Sequence, residues 1–310
     1  MLETVRYTAE KKEEWDELVK RSKNGTFLMK RGYMEYHAER FVDCSLMFYR
    51  KGRVCAVMPG NVSDGVFYSH KGLTYGGLVM DERCTMTDVL WIFEEMNQWL
   101  KGMGIDTVVY KPVPHIYHRL PADEDLYALF RNGARLVERG VSSSIDLERM
   151  LKWRQNRRTA LNKARSEGVT VECSEDLYGF WDILESNLMK SHGVKPVHSV
   201  EEMRLLKSRF PDEIKLYAAR DKVGKMVAGM LLYVTENVIH SQYISATEEG
   251  KGIGAIDAIM HTVMQTGKRF FDFGVSTENG GKLLNESLIF QKEGFGGRAI
   301  CYDTYEYTIS

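Results

Sequence analysis

Residues 238–273 hold, in order, a strand-like run, a stretch with glycine at 250, 252 and 254, a helix-periodic run and a second strand-like run. Residues 238–245 read as a strand. After the glycines Ile256, Ile259, Met260, Val263 and Met264 share one helical face, and 269–273 follows the break at Gly267. A strand that enters a helix through glycines brings backbone N–H groups close to whatever lies there. The positive end of the helix dipole then suits the place to a phosphate or diphosphate. Three alternate glycines are equally the mark of a tight turn, so the weight falls on the elements around them.

A chain of 310 residues has room for two domains of about 150 residues each. Forty-two basic and 43 acidic residues give a formal charge of -1. No global field draws in nucleic acid or an anionic membrane, and DNA is not an expected partner. Cys44, Cys55, Cys84, Cys173 and Cys301 are scattered and contain no C-x-x-C pair. That pattern is neither a disulfide framework nor a zinc site, and it points to a reducing cytoplasm. Residues 1–15 lack an apolar leader core, and the apolar run 227–234 is short and broken by Gly229. No membrane span is expected.

The order of elements repeats. In the first half, residues 10–22 and 30–41 read as helices, followed by a hairpin, 45–49 and 54–58, and a strand at 65–69. A glycine-containing link, 72–77, leads to a helix carrying Val89, Ile92, Phe93, Met96, Trp99 and Leu100, then to a strand at 107–110. In the second half, helices near 177–188 and 199–210 precede a hairpin, 215–219 and 226–233, and then the stretch first described. Ala56 and Ala228 hold matching places, as do Phe67-Tyr68-Ser69 and Ile239-His240-Ser241, both at an offset of 172. Matching elements in one order argue for an internal duplication.

Two helices, an antiparallel meander, a loop and helix off its last strand, and one further strand resemble the GNAT acyltransferase superfamily. Two copies in tandem resemble the Fem-type peptidoglycan aminoacyltransferases and related bacterial acyltransferases. The likeness is carried by Ser144-Ile145-Asp146-Leu147, by 153–171 with Arg157, Lys163-Ala164 and Gly168-Val169, and by 192–198. Tyr243-Ile244-Ser245-Ala246, Phe271-Asp272-Phe273-Gly274 and the run from Phe290 to Gly296 carry it further. It implies an α+β (α/β) fold of two tandem GNAT-like domains, each a mixed, mostly antiparallel sheet flanked by helices. The expected division is 1–140 and 141–310, the second domain being entered through a basic helix at about 148–167. The implied activity is N-acyl transfer by direct attack of an amine on an acyl-CoA thioester. An aminoacyl-tRNA-dependent transfer to a cell-wall precursor, or a non-catalytic ligand-binding module, are the alternatives. The acceptor is a small molecule or a cell-envelope precursor, and tRNA is a partner only under the Fem-type alternative.

Acyl transfer needs a grip on the carrier, an oxyanion donor, a neutral amine and a proton path. The carrier grip is expected on the backbone of Gly250, Lys251, Gly252, Ile253 and Gly254, and the resemblance adds Ile244 and Asn285. It also implies a bulge near Tyr243 and Ile244 whose amide serves the oxyanion. Asp272, flanked by Phe271 and Phe273, is costly to bury without a partner. It is the first candidate for catalysis, with His240 as a base and Tyr243 beside it, although each is equally a structural group. Tyr302, Tyr305 and Tyr307 offer further phenols, and Asn279 lies nearby in sequence.

Read as a helix, the connecting segment puts Arg157 inside a stripe of Met150, Trp153, Ala160, Leu161 and Ala164. A guanidinium there either holds an acceptor phosphate or carboxylate, with Arg158 and Lys163 beside it, or closes a buried ion pair to an acidic residue of the other domain. His192, Lys195 and His198 are expected at the acceptor mouth. Ser199 and Glu202 form a capping box that starts the next helix. No carboxylate or cysteine joins the two histidines, and no metal is expected. The first half, with Tyr75 inside its link, is expected to have lost carrier binding.

Overall fold

The computed structural model describes residues 2–310; the side chains of Leu2 and His192 lie outside the described residues. The chain divides into two compact units. One holds the residues to Gly140 together with Thr277–Leu283 and Cys301–Ser310; the other holds Val141–Ser276 and Leu284–Ile300.

The first unit begins with β1 (Leu2–Arg6) and α1 (Lys12–Arg21), then the meander β2 (Leu46–Arg50) and β3 (Arg53–Met58). β1 pairs antiparallel with β2, and β2 with β3. A small hairpin of β4 (Asn61–Ser63) and β5 (Val66–Tyr68) follows. The helix α2 (Met86–Gly102) starts at a capping box of Thr85 and Asp88 and buries Val89, Ile92, Phe93, Met96 and Leu100 against Phe48 and Phe67. It returns the chain to β6 (Thr107–Tyr110), parallel to β5. Beyond α3 (Glu124–Arg131), the unit is completed by the last strand of the chain, Arg298–Thr308, which pairs antiparallel with β6. The segment read as one helix at 30–41 is instead a helical turn, Arg31–Met34, and a 3-10 turn, Glu35–Arg40, kinked at His37. The buried Arg31 guanidinium is tied to Glu35, Asp43 and Ser45, which draws this segment in against the start of the next strand.

In the second unit β7 (Arg135–Asp146), from Val141 on, leads to α4 (Gln155–Ser166), β8 (Thr170–Ser174), α5 (Leu177–His192) and α6 (Val200–Arg209). Then come β9 (Ile214–Arg220), β10 (Met226–Val234), β11 (Val238–Ala246), α7 (Glu248–Gly252), α8 (Ala255–Val263), β12 (Phe270–Val275) and α9 (Glu286–Gly294). The sheet order within this unit is β8-β9-β10-β11-β12-β7. Every neighbour in it is antiparallel except β11 and β12. A strand–helix–strand connection through α8 produces that parallel pair, and Ile259, Met260 and Val263 of α8 pack on Val227, Met230 and Ile239. Ser199 and Glu202 make the capping box expected of them. The connecting helix is shorter than 148–167. Met150 and Trp153 precede it, and Trp153 stacks edge-on against Phe295 at 5.0 Å.

Both units carry helices, an antiparallel meander and a helix that returns the chain to a parallel strand, the mixed, mostly antiparallel, helix-flanked tandem architecture expected. In the first the hairpin β4–β5 is added, and the meander β1-β2-β3 lies in a sheet separate from β5 and β6.

Candidate functional site

The parallel strands β11 and β12 share three rungs, Val238–Phe270, Ile239–Phe271 and His240–Asp272, and then part. At the last rung His240 Nδ1 lies 2.8 Å from Asp272 Oδ2. Asp272 is fully buried, and the Ser142 hydroxyl donates to its other oxygen at 2.5 Å. A carboxylate at that distance favours the tautomer that carries a proton on Nδ1. Beyond the fork Lys292, from α9, donates to Gly274 O at 2.7 Å, Val275 O at 3.1 Å and Ser276 Oγ at 2.8 Å. Burial lowers the Lys292 pKa to about 8, while the Asp272 charge pulls the other way.

Between the parted strands lies a cavity of about 820 Å³. One wall is the α5 face of Leu184, Asn187, Leu188 and Ser191; Phe273, Val275, Leu288 and Phe295 close the other side. Asn187 ties that helix to the strand, donating to Ser245 Oγ and Ala246 O at 2.7 Å each. The ladder between β10 and β11 slips between Leu231–Tyr243 and Leu232–Ser241, so the extra residue is Gln242. Gln242 lines the cavity and has no rung on either side, because pairing with β12 has already ended. The bulge therefore falls one residue before the Tyr243–Ile244 neighbourhood where it was expected.

The glycine-punctuated link is not the open cradle the sequence predicts. Thr247 caps it, and the link closes into the helical turn α7. The N–H of Gly250 donates to Thr247 Oγ1 at 3.0 Å and that of Lys251 to Thr247 O at 2.9 Å. Ile253 N–H donates to Glu249 O at 3.0 Å, and Gly254 N–H reaches Lys251 O at 3.4 Å. A threonine at the strand end supplies the cap that makes a helix cheaper here than an exposed loop. The amides left over belong to the next helix: among the described residues, Ala255 and Ile256 donate to no protein acceptor. Gly250, Lys251, Gly254 and Ile244 do line the cavity, whereas Gly252 and Ile253 do not. The Lys251 ammonium is paired with Glu248 at 2.7 Å in solvent.

Arg157 also lines the cavity, at the N-terminal turn of α8. Its NH1 stands 3.6 Å from Asp257 Oδ1 and its guanidinium stacks 4.3 Å from the Phe295 ring centroid. The acidic partner lies within the same unit, not in the other half of the chain. Arg158 instead donates to Gln155.

The lid residues behave differently from expectation. His198 is buried, with Nδ1 2.7 Å from the Tyr243 hydroxyl, and its backbone N–H also donates to that oxygen at 3.3 Å. Tyr243 is thereby a clasp between the link that carries His198 and strand β11, and burial raises its pKa. Lys195 is exposed, and the His192 side chain lies outside the described residues. Asn285, expected beside the carrier, caps α9 by accepting the Leu288 N–H at 3.1 Å. Asn279, Tyr302, Tyr305 and Tyr307 fall in the first unit. Ser142, Asn187, Asp257 and Lys292 were not singled out from the sequence. Lys292 lies in the quoted Phe290–Gly296 run; Ser142 and Asp257 are single polar residues whose place only the sheet register and the helix packing reveal.

The corresponding place in the first unit is stitched shut. After the rung Tyr68–Val109, Ser69 N–H donates to Val109 O at 2.9 Å and Lys111 N–H to Ser69 Oγ at 2.8 Å. Gly76 N–H donates to Lys111 O at 3.0 Å, and Tyr75 is buried.

Residues 152–279 match the acetyltransferase (GNAT) domain family. That match falls almost entirely within the second unit, and the chain as a whole has the tandem GNAT fold. Its structure is similar to that of FemX, at 13% identity over 99% of this chain and 97% of that one, with a TM-score of 0.71. It is similar to L-PGS from Bacillus licheniformis, at 16% identity over 82% and 81%, with a TM-score of 0.56. A tandem GNAT protein from the clavulanic acid biosynthesis pathway is 14% identical over 100% and 99%, with a TM-score of 0.54. No curated protein matches the sequence. No described helix is long and apolar enough to cross a membrane.

Proposed function

We propose that this protein is an N-acyltransferase that moves an acyl group from an acyl-CoA thioester directly to an amine. The observation that carries the reading is the fork at His240 and Asp272, with the bulge at Gln242 lining the cavity it opens. In this reading the acyl carbonyl lies against the bulge, where a backbone N–H of the bulged strand stabilises the oxyanion. The amine attacks, the carbon–nitrogen bond forms, the carbon–sulfur bond breaks, and the ammonium proton passes to His240 Nε2, held by Asp272. Arg157 and the amides of Ala255 and Ile256 receive the carrier's diphosphate. Lys292 keeps the far arm of the fork in place.

A second reading, the aminoacyl-tRNA donor implied by the Fem-type resemblance, is favoured by two features. The amides of the glycine link are already used, and α4 carries Arg157, Arg158, Lys163 and Arg165 with no acidic residue. Thermal unfolding and calorimetry with coenzyme A and with deacylated tRNA separate the two. Stabilisation by coenzyme A supports the thioester donor. Response to tRNA alone overturns it in favour of the second reading.

A further inference from the structure

A carboxylate stands where an anion is meant to go. Asp257 occupies the third position of α8, 94% of its side chain is buried, since only 6% is exposed, and its Oδ1 has no hydrogen-bond partner. That oxygen is 3.6 Å from Arg157 NH1, too far for a hydrogen bond, and Arg157 Nε is likewise buried and unpartnered. Both residues line the cavity, as does Ile256, whose N–H, like that of the buried Ala255 before it, donates to no protein acceptor among the described residues. The seat therefore holds one cation, two free N–H donors and one under-satisfied anion of its own.

We propose that Asp257 is an internal competitor for the donor's anionic group: a diphosphate takes Arg157 and the Ala255 and Ile256 amides only as Asp257 gains a proton. This rests on the acyl-CoA reading and adds to it the device that sets affinity. Two anions cannot share Arg157 in a partly enclosed site without mutual repulsion. A proton on Asp257 removes the repulsion and supplies a donor for a phosphate oxygen. The equilibrium is already poised, because burial raises the Asp257 pKa to about 6 and Arg157 opposes that only partly.

No other charged group around α8 accounts for the same titration. Arg157 faces Asp257 from α4, while Arg165 is turned to His261, one helical turn further along α8, at 3.0 Å. From α7, Glu248 is paired with Lys251, and Glu249 lies 4.0 Å from Lys225. From α9, Glu293 is paired with Arg154, and Lys292 is bound to the end of β12. The strands beneath α8 present Val227, Met230 and Ile239.

The test is calorimetric binding of dephospho-coenzyme A, whose bridging diphosphate keeps its charge between pH 5.5 and 7.5. The wild-type dissociation constant is expected to rise by up to about 25-fold over that interval, the limit set by a single required proton with a pKa of about 6. Asp257→Asn is expected to bind tightly at both pH values, with a change below about twofold, and His261→Gln to behave as wild type. Wild-type titrations in two buffers of different ionisation enthalpy read the proton taken up on binding, so the result stands even if Asp257→Asn folds poorly. Binding that is pH-independent in wild type, or weakened in Asp257→Asn, overturns the competitor while leaving the carrier reading intact. Absence of binding in both proteins at both pH values overturns both.

Discussion

His240 and Asp272 face one another across the last rung that joins β11 to β12, and their side chains, 2.8 Å apart, bridge the strands where the backbone ladder ends. The pair is at once the end of the sheet contact and the beginning of the cavity. Replacing Asp272 by Asn keeps its shape and the Ser142 contact but removes the charge that holds a protonated His240. Activity is expected to fall by about 100-fold or more, in the range of a lost general base. The donor dissociation constant is expected to stay within about twofold, since neither residue is assigned to the carrier. Steady-state kinetics beside calorimetry reads the two separately, and an Asp272→Asn enzyme with full kcat removes the pair from the chemistry.

Lys292 carries a second, titratable prediction. Its three acceptors lie on consecutive residues at the end of β12, so the ammonium pins that arm of the fork. Burial brings the pKa to about 8, below the unfolded value of about 10.4. Between those values the unfolded chain binds the proton more tightly, so stability rises with pH there as the cost of the buried charge is relieved. Activity is expected to move the opposite way and decline above pH 8, because a neutral amine no longer satisfies three acceptors. A pH–rate profile checks this: Lys292→Met should be at least about tenfold slower and lack the alkaline limb.

In the first unit the Tyr110 hydroxyl donates to Asp125 at 2.7 Å and accepts the Leu78 N–H at 2.6 Å. Burial raises the Asp125 pKa to about 7. A carboxyl whose folded pKa lies above its unfolded value of about 3.9 contributes stability that is complete below that value and lost as pH rises through 7. Asp125→Asn retains an acceptor for the tyrosine and never ionises. Its thermal midpoint is expected to exceed that of wild type at pH 8 and to converge with it only at about pH 4 and below, where the carboxyl is protonated in both states. A wild-type excess that persists at pH 8 refutes the assignment.

Much of this arrangement was legible from spacing alone. The strand before the glycines and the helix after them both rest on hydrophobic periodicity, which burial enforces. Asp272 was legible because a carboxylate between two phenylalanines needs a partner, and His240 and Ser142 are those partners. The amide cradle was misread because glycine spacing says nothing about where the N–H groups go. Thr247, three residues before Gly250, decides that by capping the turn. At Asn285 and His198 the sequence did not show the local bonds: a side-chain oxygen at a helix start and a histidine near a tyrosine take hydrogen bonds that spacing does not register.

The three glycines of the link separate under substitution, although in sequence they look equivalent. Gly254 has φ of +75°, and a Cβ there would meet Ala160 O at 2.2 Å; at Gly250 a Cβ would meet Val227 O at 2.2 Å. Gly252 has open space around it and sits in the helical turn α7. Gly252→Ala is therefore expected to be neutral or to stabilise by about 0.5–1 kcal/mol through a less flexible unfolded chain. Gly254→Ala must move α8 away from the backbone of α4 and adopt a left-handed conformation, and a loss of about 2 kcal/mol or more is expected. Because that shift would also part Arg157 from the Ala255 and Ile256 amides, carrier affinity should drop with stability in Gly254→Ala and be unchanged in Gly252→Ala. Denaturant unfolding and calorimetry on the pair decide the matter: equal losses at both positions would mean that the link acts as a flexible loop and that the capped turn is not the state that binds.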